Sequence, residues 1–327
     1  MKAMRGEQAR SVRCLVRQLP WALMVVTGLV QAQPTAGCSS DQISASFEDF
    51  AKTGKMPPAL GRWLGDPKLQ YIEPYQAFDN VWFVGVCWVS AYMIRTSEGV
   101  VLIDTVHEPH VDTWLANLRK VGVEPADVKY VLMTHGHFDH VGGAYKLKPL
   151  TGAKFVMTQR GWDEAARSSA ASQNSPRPWQ MMGPDMVAKD GDVIKVGDTS
   201  FTVLETPGHT FGTASYLYPV RDGANVHRAI TVGGLGLNAI ENSGQVESYI
   251  GSVERIEKLT VDPAAPITVH LTTHPFSNGQ TEAAARNKQR QPGAPNALVD
   301  QAGFLKQLEG LRLGARDRLA QEKAAGR

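Results

Sequence analysis

The 327-residue sequence predicts an α/β fold, a four-layer αββα sandwich in which helices cover two inner sheets. Two sets of short β-branched and aromatic runs predict the strands, and each set is followed by segments with helical spacing. Hydrophobic residues make up 43% of the chain and charged residues 20%, which is ordinary for a globular protein with a sizeable core.

The first set of predicted strands begins as an antiparallel meander with short turns. A helix follows at residues 110–118, where Val111, Trp114 and Leu118 share one face. A segment rich in Ser, Pro and Gly, Ser168–Asp185, is predicted to be a loop. In this half we predict strands at 81–86, 90–94, 100–104, 128–133 and 154–157, and a short helix near 142–147.

The second set opens with a hairpin at residues 194–204. Ahead of both sets, residues 33–75 have a mixed pattern that predicts a short helix within a covering arm. Residues 76–327 are then predicted to form the main domain. Further strands are predicted at 214–218, 229–232 and 267–272, with helices at 246–259 and from residue 302 onward.

Residues 1–32 predict a secretory signal peptide. A basic start is followed by an apolar run from Leu19 to Val30 and by small residues up to Ala32, which implies a periplasmic or secreted protein. The apolar run is too short to span a membrane stably. Two alternatives are a buried N-terminal helix and a lipoprotein acylated on Cys38. The basic residues are Lys2, Arg5, Arg10, Arg13 and Arg17.

Cleavage after residue 32 would remove five basic residues and one acidic residue, so the net charge would change from +2 to −2. No basic patch remains that would indicate a nucleic-acid partner. Cleavage would also remove Cys14 and leave Cys38 and Cys87 as a pair in an oxidising compartment. We predict a disulfide between them; the alternative is two unpaired thiols.

The segment from Thr134 to His140 carries the chemistry, because His135, His137, Asp139 and His140 are all metal-ligand types. They follow the buried strand at residues 128–133, and sites collect at strand ends in α/β proteins. An accidental His-rich loop is the structural alternative, but four ligand types within six positions argue against it.

Two further histidines follow predicted strands in the same way. His209 lies in a Pro-Gly-His-Thr segment after the hairpin, and His274 follows the strand at residues 267–272. All three segments could therefore meet on one rim. Six ligands would make two metal sites that each keep an open position for water.

This pattern resembles the metallo-β-lactamase superfamily over about residues 79–274, and within it the B3 subclass. The resemblance implies two Zn²⁺ ions per chain and hydrolysis of a small molecule of β-lactam type by a metal-bridging hydroxide, with Asp139 orienting that hydroxide. Cys87 resembles a half-cystine of some members. By this resemblance, His135, His137 and His209 hold the first zinc, and Asp139, His140 and His274 hold the second.

The turn at residues 233–236 both supports and qualifies this resemblance. Relatives that cleave thioesters, phosphodiesters or lactones place a bridging Asp there, whereas this chain has Gly-Gly-Leu-Gly. B3 enzymes commonly have Ser at this turn, and this chain also lacks it, so altered β-lactam turnover is expected. The alternatives are a hydrolase of the same fold acting on another ester, lactone or amide, and an exported zinc-binding protein without turnover.

Three further residues are candidates for supporting roles. Asp104 is expected to accept a hydrogen bond from a ligand imidazole, or alternatively to cap a turn at its strand end. Asn238 and Thr210 are candidates for substrate contact. We expect a monomer that binds a small-molecule substrate and no nucleic acid.

Overall fold

The computed structural model describes residues 38–53, 55–175 and 177–326. The predicted signal peptide lies outside these residues. The helices are α1 (Ser40–Thr53), α2 (Pro58–Leu64), α3 (Val111–Lys120), α4 (Phe138–Val141), α5 (Ala144–Leu147), α6 (Gln159–Ser172), α7 (Ser243–Thr260), α8 (Gln280–Lys288) and α9 (Gln301–Ala324). The strands are β1 (Tyr75–Phe78), β2 (Val81–Phe83), β3 (Tyr92–Thr96), β4 (Gly99–Ile103), β5 (Val128–Leu132), β6 (Lys154–Thr158), β7 (Met186–Ala188), β8 (Val193–Val196), β9 (Thr199–Glu205), β10 (Ala214–Asp222), β11 (Asn225–Thr231) and β12 (Ile267–His270).

The strands form two mixed sheets. The first sheet has the strand order β1 to β7. Strands β1 to β4 pair antiparallel, in agreement with the predicted meander, and strands β4 to β7 pair parallel. The second has the order β12-β11-β10-β9-β8, antiparallel except for the β11–β12 pair. Parallel neighbours need a crossover, and α3 supplies it between β4 and β5.

Three apolar clusters separate four layers, which confirms the predicted αββα sandwich. The cluster between the sheets joins Phe83 and Tyr92 of the first sheet to Phe201 and Tyr216 of the second. The other face of the first sheet packs on α3 and α6, and that of the second packs on α7 and α9. Because the two sheets pack face to face across the inner cluster, loops at the same edge of both sheets lie close together.

The covering arm is helical and is tied to the first sheet by a disulfide between Cys38 and Cys87, whose Cα atoms lie 5.3 Å apart. This bond confirms the predicted pairing. The backbone N and Oγ of Ser40, at the start of α1, donate to the carboxylate of Glu282 at 2.9 and 2.7 Å. The start of the arm is therefore held by a covalent bond to Cys87 and by hydrogen bonds to Glu282.

The loop prediction for Ser168–Asp185 was wrong over its first five residues. Residues 168–172 belong to α6, which begins where the Thr158 hydroxyl accepts the Gly161 backbone N–H at 3.0 Å. Trp162 and Ala165 on its buried face supply packing that outweighs the modest helix propensity of the Ser-rich end. The strands β1 and β7 and the helix α8 were not predicted.

Among the described residues, no helix is both long enough and apolar enough to span a bilayer.

Removing the disulfide tests how far the arm depends on it. We expect the Cys38→Ala/Cys87→Ala double variant to lose about 2–4 kcal/mol of unfolding free energy, because the bond closes a loop with a sequence separation of 49. Urea denaturation measures this loss. A reductant should destabilise the wild type by a similar amount and leave the double variant unchanged, and equal stability of the two proteins would contradict the prediction.

Candidate metal centre

The loop after β5 and the short helix α4 that follows it place four polar side chains at the edge where the two sheets meet. The carbonyl oxygen of Met133 accepts the Tyr216 hydroxyl at 2.8 Å, and that of Thr134 accepts the Ala214 backbone N–H at 2.8 Å. Both donors belong to β10, so the loop of the first sheet is bonded to the second. A Cβ on Gly136 would lie 2.6 Å from the Ala165 nitrogen, so only glycine fits where the loop crosses α6.

One group of three histidines converges at this edge. His137 Nδ1 lies 3.1 Å from His135 Nε2 and 3.1 Å from His209 Nε2. His135 and His137 come from the loop after β5, whereas His209 comes from the turn after β9. The structure thus joins two of the three segments that the sequence analysis singled out.

A second group lies beside the first and contains Asp139, His140 and His274. The Asp139 Oδ2 atom lies 3.2 Å from His140 Nε2 and 3.8 Å from His274 Nε2. The ring centroids of His135 and His140 are 4.3 Å apart, so the two groups are neighbours. Within each group, the candidate ligand atoms all lie within 4.8 Å of one another.

The donor atoms of both groups fit metal ions better than they fit one another. A single ring nitrogen donates at most one hydrogen bond, so His137 Nδ1 cannot donate to both of its close neighbours. Nitrogens bound tetrahedrally at zinc distances lie about 3.3 Å apart, close to the separations seen here. His140 Nε2 is also buried without a hydrogen-bond partner among the described residues. A buried orphan nitrogen facing a carboxylate is what a metal ion would satisfy.

In the first group, the outward ring nitrogens of two histidines are held by hydrogen bonds. His209 Nδ1 donates to the Gly236 carbonyl at 2.7 Å. The Thr134 hydroxyl donates to Asp104 at 2.9 Å and therefore accepts from His135 Nδ1 at 3.1 Å. With Nδ1 protonated in both neutral rings, each Nε2 presents its lone pair to the group.

The second group is held in the same way from the first sheet. His140 Nδ1 donates to the Asp104 carboxylate at 2.8 Å, and His274 Nδ1 donates to the Trp88 carbonyl at 2.5 Å. Asp104 also accepts the Thr134 backbone N–H at 2.8 Å and is only 1% exposed. Its φ of 60° lies in the left-handed region, which aspartate tolerates better than most residues.

Close contacts with neighbouring residues explain why glycines occupy the turn after β11. A Cβ on Gly234 would lie 2.5 Å from the Cβ of His209, and one on Gly233 would lie 2.0 Å from the Ala214 carbonyl oxygen. Gly236 contributes its carbonyl to His209. Backbone acceptors such as Gly236 and Trp88 leave no residue-type signal, so sequence reasoning could not find them.

Burial and mutual charge set the protonation of these groups. Burial, assisted by the neighbouring imidazoles, lowers the pKa of His209 to about 3 and that of His274 to about 4. Burial alone would lower the pKa of His140, but the Asp139 and Asp104 carboxylates raise it to about 10. Burial alone would raise the pKa of Asp139, but His140 and His274 hold it well below its usual value. A cation at the second group would displace the His140 proton.

An aromatic wall, formed by Phe47, Trp88 and Phe276, flanks the second group. Trp88 stacks on the His274 ring at 5.5 Å, and Phe276 lies 5.6 Å from the same ring. Phe47 of α1 stacks on Phe276 at 5.2 Å and lies 6.1 Å from Trp88. The covering arm therefore contributes directly to the surroundings of a candidate metal ligand.

The predicted substrate contacts lie near this centre in different settings. The Thr210 hydroxyl is 3.1 Å from the Thr213 hydroxyl within the turn that carries His209. Asn238 is exposed on the glycine-rich loop, beside Gly236. Both roles stay predictions.

Comparison with known proteins adds a family match. Residues 84–294 match the family model of the metallo-beta-lactamase superfamily. BJP-1, a subclass B3 metallo-β-lactamase of Bradyrhizobium japonicum, superposes with a TM-score of 0.68 and 27% identity, covering 79% of this chain and 97% of that one. The FEZ-1 metallo-β-lactamase of Legionella gormanii superposes with a TM-score of 0.69 over 78% and 98% of the two chains; at 23% identity it shows the fold alone.

Several curated relatives in sequence are named for a different activity. A hydroxyacylglutathione hydrolase of Hyphomonas neptunium is 30% identical over 159 residues, which are 49% of this chain and 52% of that protein. Another, of Rhodopseudomonas palustris, is 28% identical over 207 residues, 60% of this chain and 71% of that protein. This chain spans about half, or less, of the length of most curated relatives it matches.

Acid should destabilise the metal-free protein through these buried imidazoles. His209 and His274 titrate near pH 3 and 4 when folded but near 6.5 when unfolded, so the unfolded chain takes up their protons first as the pH falls below about 6.5. Each should cost about 1 kcal/mol of unfolding free energy between pH 6 and pH 5. Urea denaturation of chelator-treated protein at both pH values measures the loss. The His209→Asn variant should show a shallower pH dependence, and an unchanged slope would contradict the assignment.

Proposed function

The chain belongs to the metallo-β-lactamase superfamily, and on that premise we propose that it is a secreted, two-zinc hydrolase that opens the amide of β-lactam antibiotics. The observation that carries the proposal is the pair of adjacent three-ligand groups, each with donor atoms turned inward. Three protein ligands per ion leave a coordination position for water or substrate, which is the pattern of catalytic rather than structural zinc.

In this proposal His135, His137 and His209 hold the first zinc, and Asp139, His140 and His274 hold the second. Bound zinc would supply Lewis-acid polarisation of a carbonyl and a water whose pKa is lowered to about 7. The mixed imidazole and carboxylate donors suit zinc, and the absence of a cysteine from both groups matches the B3 resemblance.

The side chains of this protein would orient the reactants. The Asp139 carboxylate is ionised, since its pKa is well below the usual value, so it can accept a hydrogen bond from the attacking water and fix its direction. Asp104 keeps His140 in one ring orientation through Nδ1. Both contributions are positional and need no covalent enzyme intermediate.

The aromatic wall gives the proposed substrate an apolar surface beside the second group. Aromatic rings attract one another in offset or edge-to-face arrangements, so the wall favours a substrate that carries an aromatic substituent. Residues 232–242, which include Gly234 and Gly236 next to the His209 ring, contain no Lys, Arg or Ser. We therefore infer that binding relies on apolar contact more than on an ion pair to a substrate carboxylate.

Secretion is proposed from the N-terminal sequence and is supported by the disulfide, because such bonds persist in oxidising compartments. The sulfur of Cys38 is engaged in that bond, and a sulfur so engaged cannot also carry a lipid. This favours a cleaved signal over the lipoprotein alternative.

A second candidate is hydrolysis of another ester or thioester. It is favoured by those curated relatives that are hydroxyacylglutathione hydrolases. The glycines at residues 233–236 weigh against it, because such relatives use a bridging Asp at this turn by the resemblance stated above. Side-by-side assays with a β-lactam and with S-lactoylglutathione distinguish the two.

Purified mature protein should bind two zinc ions and hydrolyse nitrocefin, a penicillin or a carbapenem, and a chelator should abolish the activity. Asp139→Asn should lower kcat at least a hundredfold, because the neutral amide is a poorer ligand and acceptor than the carboxylate. The matched control is Asp112→Asn, whose side chain on α3 is 84% exposed. Activity with S-lactoylglutathione alone, or full activity without metal, would refute the proposal.

The aromatic wall should discriminate between substrates. Phe47→Ala should raise KM for benzylpenicillin about fivefold, the equivalent of one lost ring contact, with little change in kcat. The KM for 6-aminopenicillanic acid, which has no aromatic substituent, should stay within twofold. Phe50→Ala, one turn along α1, is the control for loosening of the helix, and equal effects of the two variants would contradict the prediction.

A further inference from the structure

One buried side chain, Gln245 of α7, joins two loops that meet at His209. The two N–H groups of its Nε2 face three carbonyl oxygens, those of Gly208 at 2.8 Å, Ala239 at 3.1 Å and His209 at 3.2 Å, so one N–H is shared between two acceptors. Its Oε1 accepts the backbone N–H of Glu241 at 3.0 Å. Gln245 is 4% exposed. The carboxamide thus bonds the turn after β9 to the loop after β11 with both of its polar atoms.

These two loops carry the two partners of one hydrogen bond. The His209 ring belongs to the turn after β9, and its acceptor, the Gly236 carbonyl, belongs to the loop after β11. Gly234 of the same loop lies close to the ring, since a Cβ there would be 2.6 Å from His209 Cγ and Cδ2. Any change in the separation of the two loops would therefore turn the imidazole and redirect its Nε2 lone pair.

We propose that Gln245 is a positioning residue for the first metal group, acting through His209. By bonding to both loops it fixes the ring against Gly236 and aims Nε2 at His135 and His137. The inference rests on the proposed metal centre. It is specific to one group, because the second group is oriented by Asp104 and by the Trp88 carbonyl, which lie on the first sheet.

A simple helix-capping role is the competing explanation. Gln245 is the third residue of α7, and its backbone N–H donates to the side chain of the N-cap residue Asn242 at 3.0 Å. Gln is common at this position because its side-chain oxygen satisfies a backbone N–H near the helix start. That role needs only Oε1, whereas the positioning role needs the Nε2 donor, so the two roles can be separated.

The Gln245→Glu variant makes this separation. It keeps an oxygen acceptor and adds a negative charge that the helix N-terminus favours, but it removes the donor to three carbonyls. We expect one of two zinc ions to bind at least tenfold more weakly, as in a His209→Asn benchmark, while the other stays within twofold. A buried carboxylate that faces three carbonyl oxygens should lower the thermal unfolding midpoint of the metal-free variant. Competition with a chromophoric chelator therefore measures both zinc affinities at a temperature where the metal-free variant is still folded.

The control is Gln301→Leu on α9. This change removes a side-chain amide that donates to the Thr260 carbonyl at 2.6 Å, and it should leave both zinc affinities unchanged. If the glutamate variant does not fold, Gln245→Leu, neutral and similar in size, replaces it, and Asn242→Ala, which removes the N-cap acceptor of α7, controls for the loss of helix capping. Wild-type affinity for both ions, or equal weakening of both, would overturn the role of Gln245 while the metal centre stands. A wild type that binds no zinc would overturn the metal centre and this inference with it.

Discussion

The arrangement of the candidate metal ligands depends on the buried carboxylate of Asp104. It ends β4 and accepts hydrogen bonds from the Thr134 backbone, the Thr134 hydroxyl and the His140 ring. A carboxylate that is 1% exposed is stable only when such donors replace its water. The same bonds fix the loop after β5 relative to β4, and so fix four candidate ligands at once. The left-handed backbone of Asp104 is the local cost of that arrangement.

The centre also depends on the sandwich as a whole. Four candidate ligands come from the loop after β5 and from α4, whereas His209 and His274 follow strands of the second sheet. The bonds from β10 to Met133 and Thr134 align the two sheets where these segments meet. Ligands assembled across two sheets exist as a site only in the folded chain, so metal binding and folding are thermodynamically coupled.

The sequence predicted what depends on residue type and spacing. The clustered His and Asp side chains after β5 and the lone histidines after β9 and β12 were found because these residue types are rare and their strands are regular. The pairing of Cys38 with Cys87 followed from there being no other partner once Cys14 is removed. The helical end of Ser168–Asp185 was missed because tertiary packing outweighed local propensity. The acceptors at Gly236 and Trp88, and the bridge made by Gln245, were missed because they depend on backbone placement and distant contacts that no local pattern encodes.

The position of the disulfide bears on the order in which the protein matures. For a chain exported from its N-terminus, Cys38 and Cys87 emerge well before His209 and His274 have crossed the membrane. Oxidation can thus fasten α1 to the first sheet while the second sheet is still being delivered. In a protein exported in this way, the helix that carries Phe47 would already be docked when the last candidate ligands arrive.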